Sequence, residues 1–295
     1  MQPFTDRNRR IQDVTPQLLR AWPLLTPAGS KYSRGQIVVI GGASRSPGAA
    51  LLAGEAALRV GSGRLTLAVA TSVAAHVAVA LPECGVVPLD ETEDRHVRGQ
   101  GVRSAAPDLA EADAILVGPG LDDAEETVVL LQLLPELASG DAVVVLDAFA
   151  LGVLHQVPEV ARAFAGRLIL TPNQREAERL AGHSVDDLAQ QLPVLAGSYQ
   201  AVISCQNVVA TPDGELWSAA TGTVGLATSG SGDVLAGAIT GLAGRGASPK
   251  QAAVWGTYLH ATAGDLQATR LGPIGFLAHE LLLELPPILD RLRPE

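Results

Sequence analysis

Five short apolar runs lie at residues 37–40, 65–69, 114–117, 142–146 and 168–170, each rich in Val, Ile and Leu and none alternating with polar residues. Runs of that kind are expected of parallel strands covered on both faces. Segments 49–60, 125–134 and 176–180 lie between them with helical spacing, so strand and helix alternate as in a doubly wound α/β sheet. Beyond Tyr199 the pattern changes. Segments 201–204, 208–211 and 216–218 are short and separated by polar residues and by Pro212-Asp213-Gly214, which predicts an antiparallel meander at the edge of the sheet. Three helices are predicted last, over 233–245, 249–266 and 277–292. No linker or internal repeat divides the chain, which predicts a single domain over residues 31–295 preceded by an N-terminal extension over 1–30.

Four of the predicted strands end in Gly, Pro, Asp or Asn: Gly41-Gly42, Gly118-Pro119-Gly120, Asp147, and Thr171-Pro172-Asn173. Ligands of open α/β sheets lie beyond the carboxyl ends of the strands, so these clusters are expected to line one crevice. Composition then narrows the ligand. With 47% hydrophobic residues, 18% charged residues and a net charge of -10, the chain is neither disordered nor a nucleic-acid clamp. Its only lysines are Lys31 and Lys250, so phosphate binding falls to arginine or to backbone N–H groups. Cys84 and Cys205 form no C-x-x-C pair, indicating neither a disulfide framework nor a zinc site and favouring a reducing cytoplasm. Residues 1–20 lack the apolar core of a secretory signal, and Thr66, Thr71, Ser72 and His76 interrupt the least charged stretch, so no membrane span is expected.

The segment Gly222-Thr223-Val224-Gly225-Leu226-Ala227-Thr228-Ser229-Gly230-Ser231-Gly232-Asp233 runs directly into an apolar helix. Small residues there free successive N–H groups to converge on an anion at the helix N-terminus, with the Asp233 carboxylate at its mouth. The plainer alternative is that Ser231 or Asp233 merely caps the helix. Three glycines within eight positions exceed what a cap requires.

That segment, taken with Pro47-Gly48-Ala49-Ala50-Leu51, Gly118-Pro119-Gly120-Leu121, Leu146-Asp147-Ala148, Leu170-Thr171-Pro172 followed by Glu176, and Tyr258-Leu259-His260-Ala261-Thr262-Ala263-Gly264-Asp265, resembles the ADP/ATP-dependent NAD(P)H-hydrate dehydratases of the ribokinase-like superfamily. The resemblance runs over about residues 31–292. It implies a ribokinase-like fold with helices on both faces of the sheet, and a repair reaction in which hydrated NADH or NADPH is dehydrated at the expense of ADP or ATP. By position it implies that Ala49 and Gly120 contact the hydrated dinucleotide and that Asn173 adjoins it. Gly230, Ser231 and Gly232, with Ser204 and Asn207 from the meander, would bind the nucleotide. Asp233 would be the catalytic base, held ionised by the helix dipole. Magnesium is expected with the phosphates although no dedicated metal motif is visible. The resemblance further implies a homo-oligomer, as in relatives that are often tetramers, and a companion epimerase on a separate protein.

Two departures from the family pattern stand out. Asn173 replaces a histidine, and Ile203 stands where a lysine is usual. Arg175, in place of a glycine, could restore the missing positive charge, or be a solvated residue of a first helical turn. His260 is expected to pack with one hydrogen bond, Asp122-Asp123 with Glu125-Glu126 to be a solvated helix start, and Cys205 to be buried and inert. Two other functions are compatible with the sequence. One is a small-alcohol kinase of the hydroxyethylthiazole-kinase type, which the paired motifs at 47–51 and 118–121 disfavour. The other is a non-catalytic nucleotide binder, for which Asp233 would be unnecessary.

Overall fold

A computed structural model describes residues 11–25 and 29–294. Residues 1–10 and 26–28 of the expected N-terminal extension lie outside them. One ten-stranded sheet organises the chain: β1 (Ile11–Val14), β2 (Gln36–Ile40), β3 (Arg64–Ala70), β4 (Gly85–Leu89), β5 (Ala114–Val117), β6 (Val143–Leu146), β7 (Leu168–Leu170), β8 (Val202–Cys205), β9 (Val208–Ala210) and β10 (Leu216–Ala219). Their spatial order is β1-β10-β9-β8-β7-β6-β5-β2-β3-β4. Strands β4 through β8 of that order run parallel, and β8, β9 and β10 form the antiparallel meander. β2, β5, β6 and β7 are buried almost throughout, which is why their sequences do not alternate.

The meander is not the rim of the sheet, contrary to expectation. β1 pairs parallel with β10, Ile11 opposite Leu216 and Val14 opposite Ala219, and so covers backbone groups that the meander alone would expose. Residues after β1 tie this corner down. The Trp22 ring stacks on Trp217 at 6.5 Å, and its carbonyl accepts hydrogen bonds from Gln251 and Trp255. At the opposite edge β4 contains Pro88, a residue that edge strands tolerate. The predicted final helix is instead two, Ala278–Leu282 and Leu285–Arg291, since Pro286 and Pro287 lack the N–H groups needed to continue the first.

Two helices on one face carry the walls of the crevice. In the Ser231–Gly244 helix, Gly237 and Gly241 lie one turn apart and face the Pro47–Arg59 helix. A Cβ on Gly237 would collide with the Ala53 carbonyl oxygen, and one on Gly241 would come within 2.6 Å of the Ala57 carbonyl oxygen. Backbone-to-backbone packing of this kind leaves no room for drift between the segments bearing Ala49 and Asp233. Among the described residues, no helix is long and apolar enough to cross a membrane.

Candidate active site

The four glycine, proline and aspartate clusters lie side by side at the carboxyl ends of β2, β5, β6 and β7. The backbone ladder continues through them: Gly42 N–H donates to Pro119 (2.8 Å), Ala43 N–H to Gly120 (2.9 Å), Asp147 N–H to Val117 (3.0 Å) and Thr171 N–H to Leu146 (3.2 Å). Gly120 takes a φ of 73°, and a Cβ there would strike the Ser46 carbonyl oxygen and stand 3.2 Å from the Ala49 Cβ. Glycine is therefore required where the two residues expected at the substrate meet.

At the other wall, Gly230 adopts φ 86° as the N-cap of the Ser231–Gly244 helix, and no side chain caps that helix. The plain capping role for Ser231 or Asp233 is thereby excluded. Ser231 N–H turns back to the Thr228 carbonyl at 3.3 Å, and the first helical bond runs from Val234 N–H to Gly230. The N–H groups of Gly232 and Asp233 are left without a partner among the described residues. Gly232 is exposed, and a Cβ built on it would meet nothing within 4 Å. Open space over two free N–H groups at a helix N-terminus is an anion-binding geometry. Ser231 contributes backbone only, because its hydroxyl points inward and shares a 2.8 Å hydrogen bond with Nε2 of buried His260. Burial holds that imidazole neutral by lowering its pKa to about 4.

Asp233 is half-buried and makes no hydrogen bond or ion pair with the described residues. Its pKa is pushed up to about 6, first by burial and then by the negative charge of Glu176. Asp233 thus stays ionised at neutral pH, but less firmly than the helix dipole alone would hold it: desolvation and a like charge outweigh a dipole contribution of about 1 kcal/mol. Two further carboxyls approach the same place. Asp147, at the end of β6, is buried and accepts a 2.7 Å hydrogen bond from Thr171 Oγ1. Its pKa lies well above the usual carboxylate range through burial, with Asp233 and Glu176 adding repulsion. Asp147 is followed by Ala148 at φ 50°, a conformation that residues other than glycine rarely adopt. Glu176 opens the Gln174–Ala181 helix and is raised chiefly by burial. Among the described residues no group of three His, Cys, Asp or Glu is arranged to hold a metal ion. Asp147 and Glu176 nonetheless supply carboxylate oxygens, the ligand type that magnesium takes.

The remaining expected site residues are placed differently. Asn173 caps the Gln174–Ala181 helix in a reciprocal box: its Oδ1 accepts from Glu176 N–H at 3.0 Å, and its own N–H donates to Glu176 at 2.9 Å. Ser204 turns into the interior, bonded at 2.7 Å to Thr257 Oγ1, and is 1% exposed. Asn207 spends its side-chain amide on the Ala219 carbonyl within the meander. Ile203 is fully buried opposite Leu170, so no charge could stand there without being desolvated. Arg175 is exposed and unpaired among the described residues. Burial raises the Cys205 thiol to about 12, which leaves it inert. The acidic run after Gly120 is the expected helix start, with Glu125 exposed, but its other members are engaged: Asp122 pairs with His96 at 2.9 Å, Asp123 caps the Ala124–Leu137 helix, and Glu126 accepts from Gly99 N–H. Asp147 and Thr171 are the partners that the sequence did not single out as a pair. Their position at adjacent strand ends was the available signal.

Comparison with known proteins identifies the family. The family model described as NAD(P)H-hydrate dehydratase matches residues 37–287. The ADP-dependent (S)-NAD(P)H-hydrate dehydratase of Xanthomonas campestris pv. campestris is 43% identical over 96% of this chain and 98% of its own length. The chain covers 55% of the bifunctional NAD(P)H-hydrate repair enzyme of Moorella thermoacetica, at 36% identity. Among solved structures, the ADP/ATP-dependent NAD(P)H-hydrate dehydratase of Bacillus subtilis, co-crystallised with ATP and Mg2+, superposes with a TM-score of 0.75 at 30% identity, covering 96% of this chain and 99% of that one. A ribokinase-like protein of Enterococcus faecalis, 22% identical with a TM-score of 0.79 over 97% of each chain, shares the fold. Given the span of the family model and the full-length relative, this chain belongs to the NAD(P)H-hydrate dehydratase family.

Proposed function

We propose that this protein restores hydrated NADH or NADPH to NAD(P)H at the expense of ADP or ATP. The observation that carries the reading is Asp233: a half-buried carboxyl without a protein partner, beside two free N–H groups at an open helix N-terminus. Hydroxide is a poor leaving group near neutral pH, so the ring hydroxyl is first made into a phosphate ester. Asp233 accepts the hydroxyl proton as that oxygen attacks the terminal phosphoryl group, and AMP or ADP departs. The ring nitrogen's electron pair then expels phosphate, and the neighbouring ring carbon loses a proton. With a pKa of about 6, Asp233 is mostly in its basic form at pH 7 yet holds a proton better than an ordinary aspartate. The N–H groups of Gly232 and Asp233 stabilise charge on the transferring phosphoryl. Magnesium bound to the nucleotide would draw charge from the phosphates, with Asp147 and Glu176 as the carboxylates able to face it. Ala49 and Gly120 let the dinucleotide lie close to backbone on the opposite wall.

The test is to incubate the protein with hydrated NADH, magnesium and ADP or ATP. Recovery of 340 nm absorbance with release of phosphate supports the proposal; accumulation of a stable phosphorylated alcohol would point to a kinase, and absence of turnover to a nucleotide binder. Asp233→Asn should lower the rate by about 10²–10⁴-fold, the usual worth of a positioned base. We further propose that it acts in the cytoplasm as a homo-oligomer, in concert with epimerisation of the other hydrate epimer. The bifunctional name of the longer Moorella relative supports a functional link between the two activities.

A further inference from the structure

A second cavity, of about 550 Å³, lies between the Pro158–Ala163, Gln174–Ala181 and Leu188–Tyr199 helices, away from the strand ends that carry Asp147 and Asp233. Its floor is apolar, made by Leu180, Val185, Leu192 and Leu195, all buried. Its rim differs in kind. Arg162, His155 and His183 border it with exposed side chains, and no aspartate or glutamate is among the lining residues. That is unusual for a chain with 31 acidic against 21 basic residues. Arg162 and His155 have no hydrogen-bond or ion-pair partner among the described residues, whereas the other polar groups are engaged. Tyr199 Oη donates to the Leu180 carbonyl, Ser198 Oγ to Val194, and the Gln191 side chain is spent on Ser184 and Asp187. The free donors are therefore cationic or basic, and they border a concave apolar space within the size range of small-molecule sites.

We infer that this cavity binds a small amphipathic anion, its apolar body against Leu180, Leu192 and Leu195 and its carboxylate, sulfonate or phosphate head at Arg162. A guanidinium suits that head because its planar fork pairs two oxygens at once and it is weakly hydrated for a cation. An acidic or neutral ligand head is distinguished by the rim itself: a neutral amphiphile gains the apolar contacts alone.

The probe is 8-anilinonaphthalene-1-sulfonate, an anion with an apolar body, titrated into the full-length protein with fluorescence readout. Saturable enhancement at one site per chain is expected. Arg162→Glu should weaken it at least tenfold, and Ser198→Trp, which fills the mouth from an exposed position, should abolish it; both substitutions lie on the surface and leave the core intact. Octanoate should displace the probe, 1-octanol should not, and saturating ADP should leave the signal unchanged. Fluorescence unaltered by both substitutions, equal displacement by octanol, or displacement by ADP would each overturn the proposal. Dehydratase activity is not the readout, so this outcome is independent of the function proposed above.

Discussion

Gly237 lies against the carbonyl of Ala53 so closely that no β-carbon fits between them. This contact fixes the distance between the helix that begins near Ala49 and the helix that begins at Ser231, and therefore the width of the crevice. Gly237→Ala should destabilise the protein by roughly 2–3 kcal/mol through overpacking, although alanine is the better helix former by about 1 kcal/mol. Gly152→Ala, in the Phe149–Val153 helix with nothing within 4 Å of the added carbon, should be neutral or stabilising. Urea denaturation of the two variants checks the contrast; equal stabilities would remove the packing argument.

Asp233 ties activity and stability to pH in opposite directions. As a base with a pKa of about 6, it predicts a dehydration rate that rises through pH 6 and levels above pH 7. The folded-state value lies above the ordinary 3.8, so the folded protein favours the protonated carboxyl. The associated stability is present in full below pH 3.8 and is lost as pH rises through about 6. Asp233→Asn should accordingly gain about 1–2 kcal/mol at pH 8, after allowance for solvent access, and nothing from this source at pH 3.5. Thermal melts of both proteins across that range provide the measurement. A gain independent of pH would contradict the account.

His260 reverses the sign. Its pKa falls from 6.5 to about 4 on burial, so the folded state favours the neutral ring, and its contribution is present above pH 6.5 and lost as pH drops toward 4. Replacing His260 by Ala leaves the buried Ser231 hydroxyl unpaired, which costs about 1–3 kcal/mol. Because that hydroxyl sits beneath the phosphate cradle, KM for the nucleotide should rise more than kcat falls. Steady-state kinetics of His260→Ala and His260→Asn separate this from simple destabilisation, since Asn can restore a hydrogen bond and should recover part of KM.

Arg175 tests whether a guanidinium stands in for the positive charge that Ile203 lacks. If it reaches the nucleotide, Arg175→Ala should lower ADP affinity by about ten- to a hundredfold by calorimetry, the worth of one charge-assisted contact. Unaltered affinity would leave it a solvated residue.

The central strands were legible because continuous apolar runs have no other use in a chain of this composition. β1 was not, since Ile-Gln-Asp-Val exposes three of its four residues and carries no core signal. β4, broken by Pro88, is hidden for a similar reason. Asp233 and the glycines beside it were readable because their chemistry is local to one turn. The inward placement of Ser204 was not legible because β8 is buried on both faces and its partner Thr257 comes from a helix far along the chain. The inward turn of Ser231 depends likewise on His260, and the raised pKa of Asp233 on Glu176, neither of which a local pattern can reveal.

Pairing of Ile11 with Leu216 means that the sheet is finished by a strand synthesised about two hundred positions before its neighbour exists. Until β10 emerges and folds onto β9, β1 has nothing to join, so this seam closes late and links the order of β1 to the completion of the meander. Shortening the chain ahead of Val14 should therefore loosen β10, the Trp22–Trp217 stack and the start of the helix at Pro249 together, while the distant strand ends around Asp147 keep their arrangement.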